Sequence, residues 1–437
     1  MQWNDIRSVQ REEHVTDTTS PAPSAVSGRN RVLLTGLAVA GIVGAVVGVV
    51  YHLAGLPWLG RPFGDYYRID LDVYRIGGTV FAHGAEVYGQ LPPTKIGNPL
   101  PFTYPPLAAI SFGPMSWVSL AQASVVMTAL SLVALFAAIA LVLRSHDLSW
   151  AATAVWGGGF ALGLSLLAEP VYSTLDYGQV NLILMALVLA DCLPKRTPWP
   201  RGLLIGFVAA FKLTPAVFVL YLLLRRDFRA VVVSGISFVV FTALGFVLAF
   251  GDSAKYWTEI LPDSNRIGRP AYPSNQSITG FLARLGVEDL RTPLWLLAAL
   301  AVLALAIVAM RRALAAGDPA LALCANALAG LLISPVSWSH HWVWAIPILL
   351  TMTIVAYRRR SVLFAGWAVL GALMFNYAAH WRLAPGRYDG LNWPIADQLL
   401  ASSYVWWGLG TLVILAFARP QRVARRSADP EMQTVAA

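Results

Sequence analysis

The 437-residue chain has the composition of an integral membrane protein. Hydrophobic residues make up 57% of it and charged residues only 13%, whereas soluble domains carry roughly 25% charged residues. Its mean hydropathy is +0.61. These values exclude an ordinary soluble domain and predict an all-α polytopic membrane protein. The net charge of +9 does not indicate a nucleic-acid partner, because the arginines concentrate at the ends of apolar segments.

The chain begins with a polar tail followed by a first apolar segment. Residues 1–31 contain a TDTTSPAPSAVSG run, which predicts a disordered tail. Residues 32–54 are long enough to cross a bilayer, which takes roughly 20 residues. Because Arg29 and Arg31 precede this segment, and positive residues favour the cytoplasmic side, we expect a cytoplasmic N-terminal tail. Residues 55–106 then form a first outer loop.

The same arginine rule orders the remaining segments. After residue 107 we predict a short re-entrant or interfacial piece, and then nine more full spans: 120–143, 150–167, 180–193, 230–250, 294–310, 320–336, 342–356, 362–378 and 399–418. Further outer loops are predicted at 168–179, 251–291 and 380–397, and a polar SWSHHW turn follows residue 336. Residues 419–437 are predicted to be a cytoplasmic tail.

Residues 202–224 are an exception, because arginines flank this apolar stretch on both sides. Two halves of about ten residues are each too short to span a bilayer. We therefore predict a broken hairpin that bends at Lys212 and Pro215, which brings the total to twelve helical segments. Intramembrane charge is often functional. With both hairpin ends cytoplasmic, however, we expect Lys212 on the cytoplasmic side in a structural or lipid-phosphate role.

The first outer loop contains GDYYRIDLDVYRIGGTVFAHGAEVY, residues 64–88. Asp70 and Asp72 stand there among aromatic and apolar residues beside a membrane, a setting that favours a function over a solvated loop carboxylate. On a helix these two acids would point to different faces, so that only one would reach a site. A base that deprotonates a sugar hydroxyl needs only a carboxylate within reach of the proton.

Other polar residues at the predicted outer ends are candidates for binding a donor. His340 and His341 lie at the outer end of a span, where one of them would hold a lipid phosphate. A metal is less favoured, since adjacent histidines point apart and no third ligand is evident. Arginine suits phosphate, and amides suit sugar hydroxyls. The remaining candidates for binding the donor's phosphate or sugar are Arg266, Arg269, Asn275, Gln276, Gln179, Asn181, Tyr104 and Lys212.

Six motifs, in this order, resemble glycosyltransferase family 87: DLDVYRIGG (70–78), FTYPPL (102–107), YGQVNLILMAL (177–187), KLTPAVFVLYLLLRR (212–226), SNQSITGFLAR (274–284) and SPVSWSHHW (334–342). The resemblance implies a single GT-C transmembrane domain at 32–418. It also implies transfer of mannose from polyprenyl-phosphate-mannose, with inversion and α-(1→2) linkage, to a mannosylated glycolipid such as a phosphatidylinositol mannoside, lipomannan or lipoarabinomannan. The family's essential aspartate maps onto Asp70. Neither a metal nor a cofactor is required by this scheme.

Two alternatives to this function remain open at the level of sequence. One is an enzyme of the same fold that uses another prenyl-phosphate sugar, such as arabinofuranose. The other is a flippase or transporter of lipid-linked sugars, which tends to place charges at the midplane of the bilayer. Here the acids instead concentrate in the predicted outer loops. We therefore expect a plasma-membrane enzyme with an extracytoplasmic site, whose partners are the lipid donor, the glycolipid acceptor and membrane lipids.

Overall fold

The computed structural model describes residues 28–64, 67–383 and 393–418. Within these ranges every regular element is a helix, and the β-structure consists of two isolated β-bridges. Most of the predicted N-terminal tail, the C-terminal tail at 419–437 and residues 384–392 of the fourth predicted loop lie outside the described residues.

The α-helices of the described ranges are numbered here in chain order: α1 (Gly28–Ala54), α2 (Ile69–Ala82), α3 (Pro106–Phe112), α4 (Leu120–Ser145), α5 (Trp150–Ala152), α6 (Leu162–Ser165), α7 (Glu169–Tyr177), α8 (Asn181–Cys192), α9 (Leu203–Phe211), α10 (Val219–Leu224), α11 (Phe228–Leu248), α12 (Phe250–Lys255), α13 (Ile278–Arg284), α14 (Glu288–Ala315), α15 (Pro319–Ile333), α16 (Ala345–Arg359), α17 (Val362–Tyr377), α18 (Ile395–Ala401) and α19 (Ser403–Phe417). The π-helical turns are Thr153–Ala161 and Tyr256–Ile260. The 3-10 turns are Pro57–Leu59, Gly113–Trp117, Thr214–Phe218, Ser264–Ile267, Ser339–Trp344 and Ala379–Trp381.

Six helices of the described residues are long and apolar enough to cross a membrane: Val32–Ala54, Leu120–Ser145, Phe228–Leu248, Glu288–Ala315, Ser339–Arg359 and Val362–Trp381. Two bent pairs raise this number to eight: Trp150–Ser165 with Glu169–Tyr177, and Ile395–Ala401 with Ser403–Phe417. Three shorter apolar helices are Asn181–Cys192, Thr214–Leu224 and Pro319–Ile333. The all-α, multi-pass membrane fold is confirmed, whereas the count of twelve segments stays a prediction.

Several of these helices present apolar side chains to the outside of the protein. Only 11% of the apolar stretch of α1 and 17% of that of α11 are buried inside the protein. Burying so little of an apolar helix within the protein leaves a surface that is stable only in hydrocarbon. These two helices therefore face lipid.

The arginine-rich ends of the predicted segments lie together. Arg358, at the end of α16, donates to the carbonyl of His146 after α4. Lys195, after α8, lies 3.7 Å from the Asp147 carboxylate in the connection that follows α4. These contacts bring the ends of α4, α8 and α16 together at one end of the protein, which we call the arginine end.

The predicted outer loops meet at the opposite end. Arg61 of the first loop donates to Asp176 of the second over 2.7 Å, and Arg266 of the third loop donates to the carbonyl of Phe102 in the first over 2.9 Å. The third loop also pairs with the SWSHHW turn through an isolated β-bridge. Each of the first two loops contains a helix, α2 in the first and α7 in the second.

The predicted broken hairpin at 202–224 is confirmed. Arg201 and Arg225 both donate to the carbonyl of Cys192, over 2.9 and 3.1 Å, at the arginine end of α8. The chain breaks from helical geometry at Lys212, whose Nζ donates to Asn181 at the first turn of α8 over 2.9 Å. The prediction placed Lys212 on the same side as the flanking arginines, and this was wrong: the bend lies at the opposite, loop end, because each half is long enough to run the length of α8.

Helix α2 lies close against the segments that follow it, because its two glycines have no side chains. A Cβ at Gly77 would come within 2.4 Å of the Phe102 ring, and a Cβ at Gly78 within 2.4 Å of the Phe112 carbonyl oxygen. Any larger residue would push these segments apart. The glycines of DLDVYRIGG thus fix the distance between α2, which contains Asp70, and the FTYPPL segment.

Candidate active site

Asp70 lies in the first turn of α2 at the loop end and is half-buried. Its Oδ2 accepts a hydrogen bond from Nε2 of Gln179 over 2.7 Å. Among the described residues no donor contacts the other carboxylate oxygen, Oδ1. Asp70 is therefore held by one oxygen and has the second available for a substrate hydroxyl.

The amide of Gln179 is itself held in one orientation. Its Oε1 accepts from the hydroxyls of Tyr74, over 2.6 Å, and Tyr104, over 3.0 Å. With its oxygen occupied by two donors, the amide turns its nitrogen to the carboxylate, which can only accept when ionised. Gln179 reaches this position because α7 ends at Gly178, whose φ of +72° turns the chain back towards α2.

Tyr74 was not among the residues predicted for the site, although the sequence contained a signal for it. Tyr74 follows Asp70 by four residues, and on a helix such a pair shares one face. Its side chain is 4% exposed and stacks on Phe112 with ring centroids 4.5 Å apart. The tyrosine hydroxyl therefore remains fixed beside the amide of Gln179.

A row of hydrogen bonds continues from Asp70 through Tyr104 to Lys212. The Lys212 Nζ donates to Tyr104 Oη and to Asn181 Oδ1, each over 2.9 Å, and it lies 3.5 Å from Nε2 of His341. It also stands 4.8 Å from the centre of the Tyr104 ring, within the range of a cation–π contact. The one buried cation of this row thus lies in the same cluster as the carboxylate.

The protonation of Asp70 reflects this setting. Burial raises the pKa of the Asp70 carboxyl from 3.8 to about 6. The hydrogen bond from Gln179 and the positive charge of Lys212 both act in the opposite direction and lower it. Asp70 is therefore ionised at neutral pH but basic enough to accept a proton, the balance that general base catalysis favours.

A cleft opens next to Lys212 and runs between the helices. Its volume is about 590 Å³ with its open mouth included. Asn181, Lys212, Ser337 and His341 give it a polar end. Its apolar walls are formed by Leu184, Met185, Val188, Pro215, Val217, Phe218, Ala327, Leu331, Val336, Val343 and Trp344. The cleft offers a positive charge at one end and a hydrocarbon-like groove beyond it.

The two adjacent histidines have different surroundings. His341 is partly exposed and lines the cleft. His340 is 6% exposed, and within the described residues neither of its ring nitrogens has a hydrogen-bond partner. Its carbonyl accepts from Thr174 and Asn181, which fixes the turn. Of the pair, His341 is the one that can meet a ligand in the cleft.

Asp72 points away from Asp70. It is 5% exposed, and its Oδ2 accepts from the backbone nitrogen of Lys95 over 2.7 Å. Residues two positions apart on a helix differ by about 200° in direction, so the helix itself places the two carboxylates on different faces. Asp72 ties α2 to the loop before FTYPPL.

The two arginines of the third loop lie apart from this cluster. Arg266 donates to the backbone carbonyls of Phe102 and Thr103, over 2.9 and 3.4 Å, and so holds the segment that precedes Tyr104. Arg269 is exposed. Neither arginine lines the cleft. The contacts give Arg266 a supporting position behind Tyr104 rather than one facing a donor phosphate.

Asn275 and Gln276 occupy a different setting from the one predicted for sugar binding. Both are 0% exposed. The Asn275 oxygen accepts from the backbone nitrogen of Ser337 over 3.0 Å, and the Gln276 amide nitrogen donates to the carbonyl of Pro273 over 2.8 Å. Because their polar atoms are committed to the protein's own backbone, these amides close the loop and do not face a ligand.

Glu169 is another carboxylate at the loop end, and the sequence did not reveal its importance. It is fully buried. It accepts from the hydroxyls of Ser173 and Ser339 over 2.6 and 2.7 Å, and from Tyr404 over 3.0 Å. Since Ser339 immediately precedes the two histidines, Glu169 holds in place the turn that positions His341.

Comparison with known proteins agrees with the sequence motifs. Residues 102–335 match the sequence profile of glycosyltransferase family 87. Over 394 residues the chain is 45% identical to a Mycolicibacterium smegmatis protein, a polyprenol-phosphate-mannose-dependent alpha-(1-2)-phosphatidylinositol mannoside mannosyltransferase, with 85% of this chain and 89% of that protein covered. Over 449 residues it is 32% identical to a Mycobacterium tuberculosis protein, a polyprenol-phosphate-mannose-dependent alpha-(1-2)-phosphatidylinositol pentamannoside mannosyltransferase, with 96% and 98% covered.

A solved structure is also similar at a low level. ArnT from Cupriavidus metallidurans, in a crystal structure with undecaprenyl phosphate bound, aligns with 87% of this chain and 77% of its own at 18% identity and a TM-score of 0.34. The assignment rests instead on the profile and on the two relatives. This chain belongs to glycosyltransferase family 87.

Proposed function

We propose that this enzyme transfers mannose from polyprenol-phosphate-mannose to a phosphatidylinositol mannoside, with inversion and an α-(1→2) linkage. The names of the relatives at 45% and 32% identity support this donor and this class of acceptor. The observation that carries the proposal is the row of hydrogen bonds from Asp70 to Lys212, because it joins a carboxylate that keeps one oxygen free to the cationic end of an apolar cleft.

Asp70 is the base in this scheme. Its free Oδ1 takes the proton from the acceptor's 2-hydroxyl while that oxygen attacks C1 of the donor mannose. The bond between C1 and the phosphate oxygen breaks, and polyprenyl phosphate leaves. Inversion requires a single displacement, so one base is sufficient.

The lipid donor fits the two parts of the cleft. Lys212 and His341 stand at its polar end, where a cation and a hydrogen-bond donor stabilise the charge that develops on the departing phosphate. The apolar walls run along α8 from Asn181 to Val188, a depth of about 10 Å at roughly 1.5 Å per residue. A polyprenyl chain is hydrocarbon and would lie in such a groove.

The active site is proposed to lie on the extracytoplasmic side of the plasma membrane. The arginine end is then cytoplasmic, as positive residues favour, and the loop end that contains Asp70 lies outside. Sugar nucleotides are soluble and cytoplasmic, so a lipid-linked donor is the form of activated mannose that reaches this side.

A donor comparison tests the proposal. Purified protein receives a phosphatidylinositol mannoside acceptor with polyprenol-phosphate-mannose alone, polyprenol-phosphate-arabinofuranose alone or GDP-mannose alone, and the products are identified by mass spectrometry and linkage analysis. We expect an α-(1→2)-mannosylated product from the first mixture. Product from either of the other donors alone, or movement of the lipid donor between leaflets without a new glycosidic bond, would contradict the proposal.

A further inference from the structure

Four aromatic side chains from separate parts of the chain lie at the loop end. They are Tyr177 at the end of α7, Tyr272 in the third loop, Trp338 in the SWSHHW turn and Trp381 after α17. The ring centroids of Tyr272 and Trp338 are 6.0 Å apart, and those of Tyr272 and Trp381 are 6.1 Å apart. We call these four residues the aromatic row.

The aromatic row differs in exposure from both the core and the membrane-facing aromatics. All four of its members are half-buried, whereas Trp342 in the core is 0% exposed and Trp150 at the arginine end is 70% exposed. A half-buried aromatic ring in a loop region is held by the protein on one side and offers its remaining surface to a ligand.

The protein holds two rings of the aromatic row, Trp381 and Trp338, in place. The indole nitrogen of Trp381 donates to the buried carboxylate of Glu169 over 2.9 Å. The backbone of Gly268 lies against Trp338, where even a Cβ would approach the ring to 3.0 Å. In the described part of the chain the indole nitrogen of Trp338 has no hydrogen-bond acceptor. This nitrogen is accessible to solvent. It is therefore a donor that remains available.

Tyr177 connects the aromatic row to the residues around the base. Tyr177 is two residues before Gln179, the residue that holds Asp70, and its hydroxyl interacts electrostatically with both Asp70 and Tyr272. None of the four aromatic residues lines the cleft that ends at Lys212. A ligand on the aromatic row would thus reach Asp70 without occupying the donor cleft.

We infer that the aromatic row binds mannosyl units of the acceptor glycan beyond the unit that receives the new mannose. The inference rests on the proposed function, since it names where the rest of that acceptor lies. The C–H groups on one face of a pyranose pack against aromatic rings, and its hydroxyls accept from indole N–H or phenol O–H groups. Several neighbouring rings suit an oligomannoside rather than a single sugar.

Acceptor length is the variable that tests this inference. Trp338→Leu is assayed with polyprenol-phosphate-mannose and with two alkyl glycoside acceptors, a monomannoside and an α-linked trimannoside. We expect KM for the trimannoside to rise about tenfold, the effect of losing one strong aromatic contact. The KM for the monomannoside, the KM for the donor and kcat should stay within about twofold of their wild-type values. A change of about twofold is within the scatter of such assays and well below the expected rise of about tenfold.

Two further variants make the test robust. Trp150→Leu removes an exposed tryptophan at the arginine end and should leave the ratio of the two acceptor KM values unchanged. Tyr272→Leu should raise the same trimannoside KM even if Trp338→Leu does not fold. An equal KM rise for both acceptors, a rise in the donor KM alone or an unchanged trimannoside KM in folded variants would overturn the inference. Mannosylation of the monomannoside by the wild type tests the proposed function separately.

Discussion

Replacing Gln179 by leucine changes the pKa of the Asp70 carboxyl while Asp70 itself is retained. The Gln179 amide stabilises the ionised form of Asp70 through a 2.7 Å hydrogen bond. Hydrogen bonds to charged groups contribute about 1.5–3 kcal/mol, and about 1.4 kcal/mol corresponds to one pKa unit. Because Asp70 is only half-buried, water will replace part of the lost bond. We therefore expect its pKa to rise by about one unit, from about 6 to roughly 7.

The sign of the effect on activity follows from the role of the base. Asp70 acts when ionised, so a higher pKa lowers activity on the acidic side of the profile. At about pH 6 the ionised fraction falls from about one half to about one tenth, whereas at about pH 8 it changes by less than roughly a tenth. The assay is kcat/KM for mannosyl transfer as a function of pH, because this parameter reports the pKa of the free enzyme.

The comparison needs a control and has a clear contrary result. Each profile is normalised to its own alkaline plateau, which removes any general loss of rate from disturbed geometry. Gln90→Leu makes the same substitution at an exposed glutamine and should leave the profile where it is. If the acidic limb of folded Gln179→Leu coincides with that of the wild type, the hydrogen bond does not tune the base and the reasoning fails.

Three further predictions concern the donor end of the site and the topology. Lys212→Met should raise the donor KM by about 10- to 100-fold, since it removes a charge from the proposed phosphate site, and an unchanged donor KM in steady-state assays would exclude that role. His341→Ala should raise the donor KM by about 3- to 10-fold. His340→Ala should mainly lower the melting temperature. Normal donor kinetics in both variants would show that both histidines are structural. In intact cells a membrane-impermeant maleimide should label Lys95→Cys, and it should label Lys195→Cys only after permeabilisation. Both positions are exposed and the two native cysteines are buried, so the label reports the side of the membrane. The reverse pattern would invert the topology.

The gross arrangement of helices was predictable because charge placement has a large energetic cost in a membrane. Arginines that must stay in water mark one end of each segment, and the contacts of Arg358 and Lys195 gather those ends together. The short piece after residue 107, the break at Lys212 and the following hairpin half were predictable for a related reason: each apolar run was too long or too short for one span.

The depth of a side chain was harder to predict than the path of the backbone. Two flanking arginines locate the ends of a hairpin but not how far its bend reaches, and Lys212 turned out to reach Asn181 at the loop end. The bend of 78° between Trp150–Ser165 and Glu169–Tyr177 was likewise not predictable from the sequence. It depends on packing against distant segments, such as the bond between Thr174 and the His340 carbonyl.

The residue types of the site predicted chemistry better than they predicted roles. Asn275 and Gln276 have side chains that suit sugar hydroxyls, yet the same amides suit backbone groups, and packing decided for the backbone. Tyr74 was overlooked because a buried tyrosine resembles core, although its spacing from Asp70 places both on one helix face. Composition alone does not separate these cases.

The central claim is that Asp70 is the base, and the direct test is the initial rate of mannosyl transfer by Asp70→Asn with polyprenol-phosphate-mannose and a phosphatidylinositol mannoside. Asparagine has nearly the same shape and cannot accept the proton, so the rate should fall by about 10²- to 10⁴-fold while the melting temperature stays at or above that of the wild type. Asp72→Asn makes the identical change two residues away, where the carboxylate binds the Lys95 backbone, and should retain most of the rate. A folded Asp70→Asn enzyme that transfers mannose at the wild-type rate would contradict the account.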